Sequence, residues 1–221
     1  LERKAEGLAG PRVSEIALLL ASTPPRPDPA PPQHGFHSAI STREDDPKWV
    51  QVDLGAPTAM TAIEIVACFD DFHQIGAGFG FPPRFKIEIS DDPEFRSSQV
   101  VEDQTTADVP NPGTLPRRVE VHGKSGRHVR FTATKLAHRD NDYILALAEL
   151  QAIDSKGTNV ALRRPVTSLD SIEAGVRWGR ANLVDGIKPG PALGAAGRLA
   201  LQAERQRLIE QALASGERTQ W

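Results

Sequence analysis

The sequence predicts a mainly β protein, a sandwich of antiparallel strands with helical flanks at both ends. Three observations carry that expectation. Short segments of period-two alternation recur from Trp49 to Ile153, separated by turn-rich loops rather than by the helical pattern of a βαβ fold. Six prolines, at 24, 25, 27, 29, 31 and 32, fence off what precedes them. An apolar stripe at helical spacing then closes the chain from Arg198 onward.

In chain order, Leu1, Ala5 and Leu8 repeat at helical spacing, but Gly7, Gly10 and Pro11 limit that helix to about two turns. Val13 to Leu20 is apolar enough to be buried, as strand or helix. The proline run over Ser22 to Gln33 excludes a helix or central strand and reads as an extended connector. Val50, Val52 and Leu54 alternate with Gln51 and Asp53, with Gly55 and Pro57 as the expected end of that strand. Ile63 and Ile65 flank Glu64; Phe85, Ile87 and Ile89 alternate with Lys86 and Glu88 before the turn Ser90 to Pro93; Val119 and Val121 flank Glu120; Val129, Phe131 and Ala133 alternate with Arg130 and Thr132. Tyr143 to Ile153 is apolar on both parities apart from Glu149 and Gln151, as expected of one strand covered on both faces. Asn159 to Thr167 reads as one more, kinked strand. Leu201, Leu208, Ile209, Ala212 and Leu213 share a face of the last helix, with Ser215-Gly216 as its stop. The two helical ends are expected to pair and to tie the domain into a longer parent chain.

Bulk properties remove several functions. A net charge of −3 over 221 residues gives no electrostatic case for nucleic acid. No apolar run approaches the ~18 residues of a membrane span. The single Cys68 excludes an internal disulfide and any CxxC metal or haem attachment, and it reads as a buried hydrophobe at a strand end. No HExxH, GxSxG or Cys/His constellation appears, so no catalysis is expected. Gly76 to Gly80 is not a phosphate cradle, because Pro82-Pro83 and an alternating strand follow it where a helix would be needed.

The segments Trp49-Val50-Gln51-Val52-Asp53-Leu54-Gly55, Phe85 to Asp92, Arg127 to Phe131 and Ala148-Glu149-Leu150, in that order, resemble the discoidin or coagulation factor 5/8 type C domains. The resemblance covers about His37 to Ile153. It implies a galactose-binding-like jelly-roll β-sandwich, of the kind that includes many carbohydrate-binding modules. The opening strand and Asp-Gly turn of such domains are matched by Asn159 to Thr167 and Asn182 to Gly186, after the last strand instead of before the first. Circular permutation and a truncated second domain both fit; a lone opening strand has no core, which favours permutation. The boundaries expected are 1–33 for the helical and Pro-rich flank, 34–190 for the sandwich with its first strand supplied by 159–167, and 191–221 for the C-terminal amphipathic helix. The segment Asp170 to Ala174 with Arg177-Trp178 also resembles domains of large cytochrome c-associated multidomain proteins of planctomycete bacteria.

The resemblance places binding on loops at one end. The richest, Cys68 to Pro83, carries Asp70, Asp71, Phe72 and His73, and aromatic faces with carboxylates and imidazoles suit sugar rings and hydroxyls. Phe79 and Phe81 read as plugs for the end of the sandwich; Phe72 and His73 divide between plug and contact. Arg139, Asn141 and Tyr143, on a second loop, are expected to face the same end as His37, Trp178 and Arg180, although a solvated turn accounts for them as well. Relatives that hold a structural calcium imply Asp185 and Glu149 as its ligands, but Ile187, Lys188 and Pro189 stand where a hydroxyl and a second acid would be. The expected function is a non-catalytic, extracytoplasmic module that binds a glycan or polysaccharide, with other domains of a parent protein as further partners. The competing expectation is a structural or docking domain inside a redox or degradative protein.

Overall fold

The computed structural model describes residues 11–22, 32–113, 115–188 and 195–218, in two compact units. One unit is helical, comprising α1 (Pro11–Ser22) and, after the sandwich, the helix Ala195–Arg218. The other is the sandwich, within residues 31–190. Its strands are β1 (Phe36–His37), β2 (Lys48–Ala59), β3 (Ala62–Val66), β4 (Cys68–Asp70), β5 (Gly76–Phe79), β6 (Arg84–Ser90), β7 (Gln99–Gln104), β8 (Arg117–Glu120), β9 (Ser125–Lys135), β10 (Ala137–His138), β11 (Tyr143–Ile144), β12 (Ala146–Leu147), β13 (Glu149–Ile153) and β14 (Val166–Ser168). The closing helix Ala195–Arg218 is α2.

Five strands form one sheet in the order β14-β2-β9-β6-β7, and three form the other, β13-β3-β8. The alternation seen in sequence sets which side chains meet between them. Val50, Val52, Leu54, Ile63, Ile65, Phe85, Ile87, Ile89, Val129, Phe131 and Leu150 are all buried in one cluster. Each such side chain contributes roughly 1.5–3 kcal/mol by leaving water, and Phe85 stacks on Phe131 at 4.8 Å. The outward face of β2 is covered too: Arg130 lies between Trp49 and Phe95, its guanidinium carbon 4.3 and 4.0 Å from the two ring centroids, while its Nε donates to Gln51 at 2.8 Å. This pins the loop after β6 onto the sheet and explains why Gln51, on the polar parity, is buried.

Several elements depart from the expectations. β2 does not stop at Gly55; it continues to Ala59 through an irregularity between Asp53 and Thr58, with Gly55 at φ 87°. Glycine tolerates that turn of the backbone, so pairing with β9 resumes instead of ending. Tyr143 to Ile153 is three short strands rather than one, because β11, β12 and β13 pair with β10, β1 and β3 in turn. Burial on both parities thus came from a chain that changes partners. β7 had no alternation to announce it, since it is an edge strand with no buried residue. Val13 to Leu20 is helical, and α2 runs through Ser215-Gly216 to Arg218. Val13 packs on Ile209, and Ala17 and Leu20 line a groove with Gln202 and Arg205, so α1 and α2 run in opposite directions. The expected helix over Leu1 to Leu8 and most of the proline run lie outside the described residues.

The segment after β13 returns to the same sandwich. Val160 N donates to Ala152 O, and Val166, Thr167 and Ser168 pair antiparallel with Val52, Gln51 and Val50. The short helical turn Arg180–Val184 then buries Leu183 and Val184 in the main core.

Candidate functional site

Four stretches meet at one end of the sandwich: β1 with the residues before it, the β4–β5 hairpin, the β10–β11 hairpin, and residues 172–180. β1 approaches β12 so closely that a Cβ on Gly35 would run into the Leu147 carbonyl, and φ at Gly35 is 128°, so only glycine fits. That approach carries His34 and His37 to the site. Trp178 bridges to Gly35, Gly179 N donates to Gly35 O at 3.1 Å, and Ile172 N donates to His37 O at 2.8 Å, which seats the later segment beside them.

Asp70 joins these pieces. Its carboxylate is buried and accepts from Arg177 Nη2 at 2.7 Å and from Phe72 N at 3.1 Å, with His34 Nδ1 3.8 Å away. Around it lies an aromatic cluster. The Trp178 ring is 5.0 Å from His37, 5.1 Å from His34 and 5.8 Å from Phe79, and Phe79 meets Phe72 edge-on at 6.5 Å. Phe72 is 39 % exposed whereas Phe79 is 2 % exposed. Arg139 lies 4.9 Å over Phe72 and holds Asp142 with two hydrogen bonds, 2.9 and 2.6 Å. His73 Nδ1 is 3.6 Å from Asp140, and His138 packs edge-on to Tyr143 at 5.5 Å. Burial lowers the pKa of both His34 and His37, assisted at His34 by Arg177 and at His37 by Arg139, so neutral imidazoles are favoured.

The structure therefore gathers His37, Asp70, Phe72, His73, Arg139, Tyr143 and Trp178 at one end. Asp71 and Asn141 sit exposed in the same two hairpins. Arg180 is not among them; its guanidinium is bonded to Glu173 at 2.8 Å and to Ser168 Oγ at 2.9 Å, a network that braces the later segment. Phe79 and Phe81 are buried, the plugs expected. Sequence reasoning missed His34 and gave no role to Arg177. The available signal was position: His34 precedes His37 by three residues in an extended stretch, and Arg177 adjoins Trp178. Cys68 is buried, and burial pushes its thiol pKa well above the ordinary value.

Glu149 and Asp185 also come together, away from this cluster. Glu149 is fully buried; it accepts from Gly186 N at 2.8 Å and from Gln151 Nε2 at 3.2 Å, while Asp185 accepts from Ile187 N at 2.7 Å. Burial pushes the Glu149 pKa up to about 8 and raises that of Asp185, and the protonated Glu149 donates to Asp185. Calcium takes six to eight oxygen ligands. Here N–H donors occupy carboxylate oxygens on both residues, and no third acid, histidine or cysteine joins them among the described residues. One shared proton satisfies the pair, and its two carboxylates are the acidic ligands that the family resemblance implies for calcium.

Two antiparallel sheets packed on one core, with polar and aromatic loops gathered at one end, make the domain a β-sandwich. The model of the F5/8 type C domain matches residues 30–150, more than half of the chain, and the chain belongs to that family. Among solved structures it is similar to a family 32 carbohydrate-binding module from a family 31 glycoside hydrolase of Clostridium perfringens, at 19% identity over 54% of this chain and 74% of that one, TM-score 0.41. It is similar also to the family 32 module of C. perfringens NanJ in complex with galactose (16% identity, 52% and 73% covered, TM-score 0.40) and to chitosan-binding module 1 of a Paenibacillus sp. IK-5 chitosanase/glucanase (18%, 51% and 73%, TM-score 0.38). No curated protein sequence matches the chain. No helix among the described residues is long and apolar enough to cross a membrane.

Proposed function

We propose that the sandwich is a non-catalytic module that binds carbohydrate outside the cytoplasm through the loop end built on Asp70. The observation that carries this reading is an exposed Phe72 ring set beside imidazoles and the Arg139–Asp142 pair. An aromatic face covers the apolar face of a sugar ring, while the charged and imidazole groups exchange hydrogen bonds with hydroxyls. Family membership and the glycan complexes of similar modules support it. On the same reading the binding unit is the sandwich of residues 34–190, its first strand supplied by 159–167 in a permuted order; the pairing of β14 with β2 supports this. The helices flank that unit.

The test is a glycan array with pull-downs on insoluble polysaccharides, for the natural protein and for Phe72→Ala with His73→Ala. Binding that the double variant loses supports the module. Silence across diverse glycans would refute it and favour docking within a longer protein, for which the exposed Leu18 and Leu199 of the helical unit speak.

A further inference from the structure

His37 is almost wholly buried, 3 % exposed, and stands beside Trp178 and Phe79 at the loop end of the sandwich. Its tautomer is fixed by geometry. Nδ1 lies 2.7 Å from the carbonyl oxygen of Ser38, which can only accept, so Nδ1 carries the proton. In the neutral ring Nε2 is then an acceptor, and no protein donor among the described residues bonds to it. A ligand donor, such as a sugar hydroxyl, satisfies it; a proton on Nε2 removes that acceptor.

The surroundings of His37 make that proton costly. On its own stretch stands His34, and the Trp178 ring lies between the two imidazoles, about 5 Å from each. The β4–β5 hairpin contributes Asp70 and Phe79, the β10–β11 hairpin Arg139 and Asp142, and the later segment Arg177 and Asp170. Each of the three carboxylates already holds a cation: Asp70 is bonded to Arg177, Asp142 to Arg139 and Asp170 to Lys48. Further out, Asp140 lies beside His73, and Glu173 is bonded to Arg180. An imidazolium at position 37 would thus enter a buried, aromatic-walled place whose anions are committed, with Arg139 repelling it.

We propose that this end of the sandwich is proton-gated, holding its glycan while His37 is neutral and releasing it on acidification. The inference rests on the reading of the loop end as a glycan site and adds its regulation. If only the neutral form binds, a group titrating at the ordinary 6.5 would weaken binding about thirtyfold at pH 5. Burial lowers that titration, so the loss expected at pH 5 is smaller than thirtyfold.

The test measures binding of galactose, N-acetylgalactosaminyl-β-1,3-galactose and chitotriose to the whole chain at about pH 7.5, 6 and 5. The expected result is a loss of affinity on acidification for whichever probe binds. His37→Gln, which keeps an acceptor but does not titrate, should give a flat profile whatever its absolute affinity. Nitrogen NMR of the natural protein supplies a second measurement, independent of that variant's folding. It should find Nδ1 protonated and Nε2 bare at neutral pH, and ligand should drive the His37 titration to lower pH. Binding that is flat with pH in the natural protein, or Nε2 protonated at neutral pH, overturns the gate and leaves the glycan site standing. Silence of all three probes at every pH counts against the glycan site itself and overturns the gate with it.

Discussion

Glu149 offers the sharpest stability experiment. Its carboxyl titrates at about 8 in the folded chain against an ordinary 4.5, with burial the leading cause. A group raised in this way is protonated in the folded state and ionised in the unfolded one across that window. Folding therefore takes up a proton, and stability is full below about pH 4.5 and declines until about pH 8. At 1.36 kcal/mol per unit, the decline reaches about 3 kcal/mol by pH 7, as an upper figure for a pair that relaxes together. Glu149→Gln keeps the acceptor for Gly186 N, and its amide NH2 replaces the shared proton as the donor to Asp185 with no charge to titrate, provided the Gln151 amide turns its oxygen toward that NH2. Urea denaturation of both proteins in chelator, at about pH 4.5, 6 and 7.5, isolates the Glu149–Asp185 pair, because titrations outside it cancel in the difference. The variant should match the natural protein within about 1 kcal/mol at the lowest pH and exceed it by up to about 4 kcal/mol at the highest. A variant less stable at every pH by the same amount would refute the reasoning. So would a calcium-dependent gain in the natural protein that the variant lacks, because the two carboxylates would then hold a cation rather than a proton.

Phe79→Ala should cost about 3–4 kcal/mol in denaturant unfolding, because the ring is buried beside Trp178, whereas Phe72→Ala should cost under about 1 kcal/mol and show its effect in glycan capture instead. Arg177→Ala strips the buried Asp70 carboxylate of its cation; with the arginine half exposed, about 1–2 kcal/mol of destabilisation is expected by thermal melting, and Asp70→Asn in the same background should recover part of it. Gly35→Ala forces a Cβ against the Leu147 carbonyl and should lower the melting midpoint by more than Phe72→Ala does.

The sandwich was legible where one physical rule dominated. Val50, Val52 and Leu54, or Phe85, Ile87 and Ile89, face a core on one parity, and a period of two betrays that directly. The rule fails where burial has another source. Gln51 is buried under a loop held by Arg130, and Ala146 to Ala148 is buried because the chain passes between partners, so neither shows a clean alternation. β7 has no buried face at all. At the site, loop composition singled out Phe72, His73 and Arg139, because an aromatic ring, an imidazole and a guanidinium stood together in turn-rich segments between strands. Asp70 as the junction was not legible: its partners, His34 and Arg177, lie at sequence separations that no local pattern encodes. Arg180 went astray for a related reason, since Glu173 and Ser168 claim its donors only once the chain has folded back.

The pairing of β14 with β2 has a consequence for synthesis. Val52 waits for Val166, and Asp70 waits for Arg177, so each is made more than a hundred residues before its partner. A ribosome that has released the chain only as far as residue 150 presents a nascent sandwich whose β2 edge is open and whose Asp70 lacks its cation. Open strand edges template pairing with other chains, and long-range pairing is slow. The emerging polypeptide is therefore exposed to misassembly until residue 168 has cleared the exit tunnel. Holdase chaperones that cover strand edges would act on this chain late in translation rather than early.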